Sequence, residues 1–341
     1  MVNNRIEYVD IAKGFGMLTI IWGHIVLTGI TNSFVYAFHI PLFFFMSGMM
    51  YNKEKYPYFK DFFVSRIKSL LIPYSIYSVL TWIVWAIFSL VKGGDVNLFA
   101  PLLQTIIAQG SGGFLVHNVP LWFVTCLFMV EMIYYFISKL NNVVNLLVCF
   151  VCTIVGVLMM QPNVFFDFRL LPWNLEVAMA AMIFYSVGNL FVSKVTHQKF
   201  IDFVKTRKGI SLLITIVSFA LLLLGAKFNG HVSMGSTTLG NPWVFYGAAF
   251  CGIVFMLFLC IATSLSFNDR VLKPILWFGK GSFDAMAIHN PIKGIVVVVV
   301  GIVAGGAIVG DIFWGMVAFV ITLLITCIGM LIIDKVKGLF K

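Results

Sequence analysis

The sequence predicts an all-α, polytopic membrane protein of about ten transmembrane helices with both termini in the cytoplasm. Of its 341 residues, 61% are hydrophobic and 11% are charged, against roughly 45 to 50% apolar and 25% charged in soluble domains. Apolar runs of about 20 residues recur along the chain, each long enough to cross ~30 Å of hydrocarbon. They lack the alternation of barrel strands, so the backbone, which must satisfy its own hydrogen bonds in lipid, is helical. The connections between the runs alternate between basic and nearly charge-free, which orients the whole.

The spans fall near residues 8–30, 34–51, 71–91, 120–138, 142–160, 172–193, 210–226, 243–265, 282–304 and 310–333. Arg5 and Lys13, the cluster from Lys53 to Lys68, Lys139, the cluster from Lys194 to Lys208, Arg270, Lys273 and Lys280, and Lys335, Lys337 and Lys341 all share one side. Only Lys92, Arg169 and Lys227 fall on the other, and Lys293 lies inside a span. The positive-inside rule then places both termini in the cytoplasm. Acidic as well as basic residues precede the first span and no small-residue cleavage pattern follows it, so it is expected to stay as an anchor.

One integral-membrane domain over 1–341 is expected, with two larger connections and a short cytoplasmic tail at 335–341. Residues 52–70 set cations among Tyr58, Phe59, Phe62, Phe63 and Ile67 and read as a helix in the cytoplasmic interface. Residues 92–119 carry Gly93, Gly94, Gly110, Gly112 and Gly113 around a short apolar segment and read as an external lid or re-entrant piece. The net charge of +10 is spread over connections rather than one face, so it encodes topology and not nucleic-acid binding. Six cysteines lie inside apolar runs and read as packing residues, and a lone Cys149/Cys152 pair predicts no metal. No internal repeat is visible, which weakens an inverted-repeat transporter reading.

The chemistry starts in "KGFGMLTIIWGH", Lys13 to His24. Eleven residues apart on a helix, these two differ by about 20° around the axis and about 16 Å along it. Asp10, Lys13, His24 and Thr28 thus form one polar stripe, and an ionisable group at membrane depth is a functional candidate by default. The next span carries His39 in "AFHIPLFFFMSGMMY", and a turn near Thr31 and Asn32 sets His24 and His39 at one height. Packing histidines bonded to helix carbonyls, and a Lys13 that snorkels to the headgroups, are the plain alternatives. The functional reading is a phosphate-bearing donor held by cytoplasmic cations, its reactive end reaching ~16 Å inward. A neutral buried imidazole then acts as general base on a hydroxyl, or as nucleophile through an acyl-imidazole.

The series "RIEYVDIAKGFGMLTIIWGH", "FHIPLFFFMSG", "FFVSRIKSLLIPY", "PLWFV", "LPWNLEVAMAAMIFYSVGNL" and "FGKGSFDAMAIHNPI" resembles the integral-membrane acyltransferase 3 family, from Arg5 to about Pro291. The family's signature of a basic residue, ten positions and a histidine is met by Lys13 and His24. The resemblance implies a ten-helix O-acyltransferase of a bacterial plasma membrane. It implies a donor, acetyl-CoA or another acyl-CoA, taken from the cytoplasm, and a hydroxyl acceptor on an extracytoplasmic carbohydrate of the cell envelope. It makes His24 the catalytic histidine, Lys13 and Arg66 donor-binding cations with Asp10 beside them, and Ser282 and His289 the serine and histidine of the ninth span. The "WNLE" of Trp173 to Glu176 looks most like the sugar O-acetylase branch, although glutamate stands where aspartate is expected. Only "KVKGLFK" follows the last span, so no soluble esterase-like domain is expected beyond it.

The remaining polar positions are second-tier. Ser282, His289 and Lys293 share a face of the ninth span, and Lys293 is expected to pair with Asp284 or Glu131. Trp122 is either an interfacial aromatic or a sugar-stacking platform, and Glu131 is either functional or the counter-charge of a buried cation. A transporter that uses Lys13, His24 and His289 for protons or a polar solute is the alternative from another class.

Overall fold

The computed structural model describes residues 6–26, 29–93, 97–161, 171–306, 308 and 310–339. Thr28, Arg5, Arg169, Gly94 and Lys341 lie outside the described residues. In chain order the helices are α1 Glu7–Ile25, α2 Gly29–Met50, α3 Phe59–Arg66, α4 Ile72–Lys92, α5 Phe99–Ile107, α6 Trp122–Ile137 and α7 Asn142–Met159. They continue with α8 Leu175–Lys194, α9 His197–Thr206, α10 Lys208–Asn229, α11 Pro242–Ser266, α12 Asp269–Lys280, α13 Ser282–Ala304 and α14 Ile312–Leu339. The described residues contain no strand, only an isolated antiparallel bridge between Ser233 and Thr238.

Among the described residues, nine helices are long and apolar enough to cross a membrane, and they match nine of the ten predicted spans. The tenth, α1, has 19 residues and carries Glu7, Asp10 and Lys13 in its first two turns. Apolar side chains left exposed follow the helical repeat, as Val143, Leu147, Val151 and Leu158 do on α7, which suits a face turned to acyl chains. Helix α3 passes through a five-residue π turn, Ile67–Leu71, straight into α4, so residues 59–91 form one continuous helix.

The chain divides into two compact units. The first contains residues 1–43, 192–232 and 240–341. Its centre is α1, which packs on α11, α12, α13 and α14. Close approach requires glycine there: a Cβ on Gly279 would strike the Asp10 carbonyl, and one on Gly14 would come within 2.7 Å of the Ile275 carbonyl. Two short helices of this unit, α9 and α12, were not separable in the sequence from basic loops. Thr196 and Asn268 cap their first turns with side-chain oxygens.

The second unit contains residues 44–191 and 233–239. Here α2 and α8 cross at Gly48, which faces the Tyr185 carbonyl, and at Gly188, which faces the Phe45 carbonyl. Helix α5 and the turns after it fill much of the segment expected to be a lid, and they are fastened to the start of α8. Trp173 and Asn174 stand at φ of 59° and 53°, unusual for non-glycine residues. Trp173 donates its indole N–H to the Ile106 carbonyl at 2.8 Å, and Asn174 donates to the Ala108 carbonyl at 2.9 Å while accepting from Gly110 N at 3.0 Å. Gln109 donates to Glu176 Oε1 at 3.2 Å. These bonds hold the strained backbone in place.

Candidate functional site

The first unit gathers the intramembrane histidines. His24, in the last turn of α1, and His289, in the third turn of α13, bring their rings to 5.4 Å between centroids. His289 is fully buried. Its Nδ1 lies 2.8 Å from the Met286 carbonyl and 3.1 Å from that of Ala285. A carbonyl only accepts, so Nδ1 carries the proton and Nε2 keeps a lone pair. That Nε2 is buried and has no hydrogen-bond partner among the described residues.

His39 on α2 is also buried, and its Nδ1 lies 2.7 Å from the Val35 carbonyl. The same logic leaves Nε2 of His39 as an acceptor. Both histidines meet Tyr36, one helical turn before His39, with its ring 6.3 Å from His24 and 5.0 Å from His39. Gly23, immediately before His24, gives that ring its seat, since a Cβ there would meet the Tyr36 ring at 3.0 Å. The antiparallel hairpin thus brings His24 and His39 to the ring of one tyrosine. Tyr36 was missed in the sequence because a tyrosine near a span end reads as an interfacial residue; its i, i+3 spacing to His39 was the available signal.

The other sequence candidates are placed differently. Lys293 lies one turn beyond His289 on α13, and the carboxylates named for it are engaged elsewhere. Both oxygens of Asp284 take Lys337 Nζ, at 2.8 and 2.7 Å, and Glu131 takes Arg66. The basic end of α14 supplies Asp284 with a counter-ion from closer by, so the expected pairing of Lys293 gives way. Ser282 opens α13, two turns and about 10 Å along the helix from His289, and is not part of the histidine cluster. Asp10 is buried in the first turns of α1, with Oδ2 lacking a hydrogen-bond partner among the described residues, and Lys13 lies one turn further on.

In the second unit, Arg66 Nε stands 3.3 Å from Glu131 Oε2, and Tyr185 donates to the other carboxylate oxygen at 3.3 Å. Phe62 and Tyr56 cover the guanidinium at 5.1 and 5.9 Å. Glu131 is 5% exposed and Arg66 half-buried, so of its two expected roles the geometry fits the counter-charge of a cation drawn out of bulk water. Arg66 ends α3 where the π turn begins, a backbone irregularity often found at functional positions. Its Nε faces the carboxylate, and the Nη atoms of such a fork suit phosphate.

Trp122 is 7% exposed, with Gly110 and Gly235 against it. A Cβ on either glycine would come within 2.7 Å of the indole, so the ring is walled in by backbone rather than offered as a platform for a sugar. Nearby in the chain, His117 is 3% exposed and neither ring nitrogen has a hydrogen-bond partner among the described residues. Burial pushes its pKa down to about 4. No group of three or more His, Cys, Asp or Glu with the arrangement of a metal site occurs among the described residues.

No curated protein and no solved structure matches the chain. A family model described as an acyltransferase domain, that of acyltransferase 3, matches residues 6–334. With its membrane-spanning helices, the chain therefore belongs to that family and is a multi-pass membrane acyltransferase.

Proposed function

We propose that the protein transfers an acyl group, acetyl in the first instance, from cytoplasmic acyl-CoA to a hydroxyl of an extracytoplasmic cell-envelope carbohydrate in a bacterial plasma membrane. The observation that carries this reading is the His24 and His289 ring pair, 5.4 Å apart, with an Nε2 on His289 that has no hydrogen-bond partner among the described residues, inside a chain of the acyltransferase family. His289, fixed by two helix carbonyls, offers its Nε2 lone pair to a His24 N–H once the two rings close up around the substrates, which leaves the other His24 nitrogen as the base. That base takes the proton of the acceptor hydroxyl, the oxygen attacks the thioester carbonyl, the C–S bond breaks, and the thiolate leaves as free thiol with the proton returned to it. Lys13 and Arg66 each serve the donor's phosphates by charge, Arg66 also by its planar fork.

The test is release of thiol from acetyl-CoA by the purified protein, with and without an added alcohol. His24→Ala is expected to lower the alcohol-dependent rate by about 10²- to 10⁴-fold, the usual share of general acid–base catalysis, while acetyl-CoA still binds. Equal rates in the variant overturn the assignment of His24. Solute movement without any thiol release by the native protein replaces the whole reading with transport.

A further inference from the structure

The proposed transfer needs a way for a hydroxyl compound to reach His24 from the end of α1 opposite Lys13, and one imidazole there is not part of the buried cluster. His231 follows the end of α10, in the connection to α11, and is exposed. Its ring lies 4.9 Å from that of Tyr36, tilted by 56°, and Tyr36 is the ring shared by His24 and His39. A chain of rings therefore runs from the exposed His231 through Tyr36 to the half-buried His24.

The position of His231 is fixed. Its Nδ1 is 2.7 Å from Oδ1 of Asn32, a buried residue whose amide nitrogen faces the Gly23 carbonyl at 3.5 Å. Because the amide oxygen accepts, Nδ1 of His231 donates, and its Nε2 is left as an outward acceptor. His231 and Asn32 are far apart in sequence, so this bond is tertiary and ties the loop to the beginning of α2.

We propose that His231 and Tyr36 are positioning residues for the acceptor alcohol: His231 Nε2 accepts a hydrogen bond from a non-reacting hydroxyl while the Tyr36 ring carries the adjoining carbon face. Among the described residues, the polar partners of these two rings are Asn32, His24 and His39, with no carboxylate or ammonium group among the hydrogen bonds and ring contacts. An uncharged polyol, with an apolar C–H face and several hydroxyls, is complementary to this pair of an imidazole acceptor and an aromatic face. This rests on the acyl-transfer reading above.

The test uses the whole purified protein with acetyl-CoA, and glucose, N-acetylglucosamine and glycerol as acceptor probes. His231→Ala is expected to raise the acceptor KM about tenfold, the value of one hydrogen bond, with the acetyl-CoA KM held. Gln puts its amide near the place of Nε2, and Asn near that of Nδ1. Recovery of the acceptor KM by His231→Gln but not by His231→Asn supports contact with the acceptor. Recovery by His231→Asn alone means the residue only holds Asn32, and overturns the proposal, as does an unchanged acceptor KM in His231→Ala. Tyr36→Phe should leave the acceptor KM near native and Tyr36→Ala should raise it; equal KM in both also overturns the proposal. Absence of alcohol-dependent thiol release by the native protein rejects the acyl-transfer reading instead, which is a different outcome from any of these.

Discussion

His289 is the residue at which tautomer, burial and position make the sharpest demand. If its Nε2 accepts a hydrogen bond from His24, His289→Gln, whose side-chain oxygen still accepts, should keep more activity than His289→Leu, which cannot. Turnover with acetyl-CoA is the measurement, with the Leu variant falling at least tenfold further. His117 answers to pH instead. Its pKa is held at about 4 by burial, below the ordinary histidine value of about 6.5, so the unfolded chain takes up the proton first. The associated stability is complete above about pH 6.5 and is lost as pH falls toward about 4. Protection factors over 108–118, exchange rates corrected for the intrinsic slowing toward acid, should therefore fall across that window, and His117→Leu should remove this fall. Lys13 and His24 stood out in the sequence as candidates because a cation and an imidazole cost free energy in an apolar run. Tyr36 and His231 were not, since one looks like any interfacial aromatic and the other meets the site only through a tertiary bond to Asn32.

At the scale of the helices, composition and period gave nine spans closely, because each apolar run has to cover the same hydrocarbon thickness. The helices α9 and α12 were read as basic loops because a ten- or twelve-residue amphipathic segment offers too few turns to separate from charged connections. Yet α12 does much to hold α1. Gly279→Ala places a methyl on the Asp10 carbonyl and forces the two backbones apart, so a loss of about 1–3 kcal/mol is expected. Gly209→Ala, in an open position on α10, should be neutral or slightly stabilising. Thermal unfolding of both variants in one detergent checks the contrast. The "WNLE" stretch is a second such joint, suggested in the sequence only as a mark of a family branch. Asn174→Ala removes bonds to Ala108 and Gly110 and keeps the strained φ, whereas Asn174→Gly removes the bonds and relieves the strain. The alanine variant should be the less stable of the two, and amide exchange over 97–110 should rise in both.

For the molecule as a whole, direction across the membrane decides whether donor and acceptor meet the protein from opposite sides. Charge argues for one orientation. Lys199 and Lys205 of α9, Arg270, Lys273 and Lys280 of α12, and Lys335 and Lys337 at the end of α14 belong to connections that alternate with nearly charge-free ones, and retention of such cations on the cytoplasmic side is the general rule. Helix α10, 22 residues long and apolar enough to cross a membrane, separates the α9 segment from the loop that carries His231 and Ser236. Cysteine placed at Ser236, an exposed position, should react with a membrane-impermeant thiol reagent in intact cells. Cysteine placed at the exposed Lys199 should react only after the membrane is opened. The native cysteines are all buried or half-buried, which favours a clear background. The reverse pattern would turn the molecule over and place His231 on the side of the acyl-CoA pool, ending its assignment to an extracytoplasmic acceptor. Labelling of both positions in intact cells would deny that α10 crosses at all. The expected pattern, with His231 outside and the basic connections inside, is the one arrangement in which a cytoplasmic thioester and an envelope hydroxyl each approach His24 from its own side.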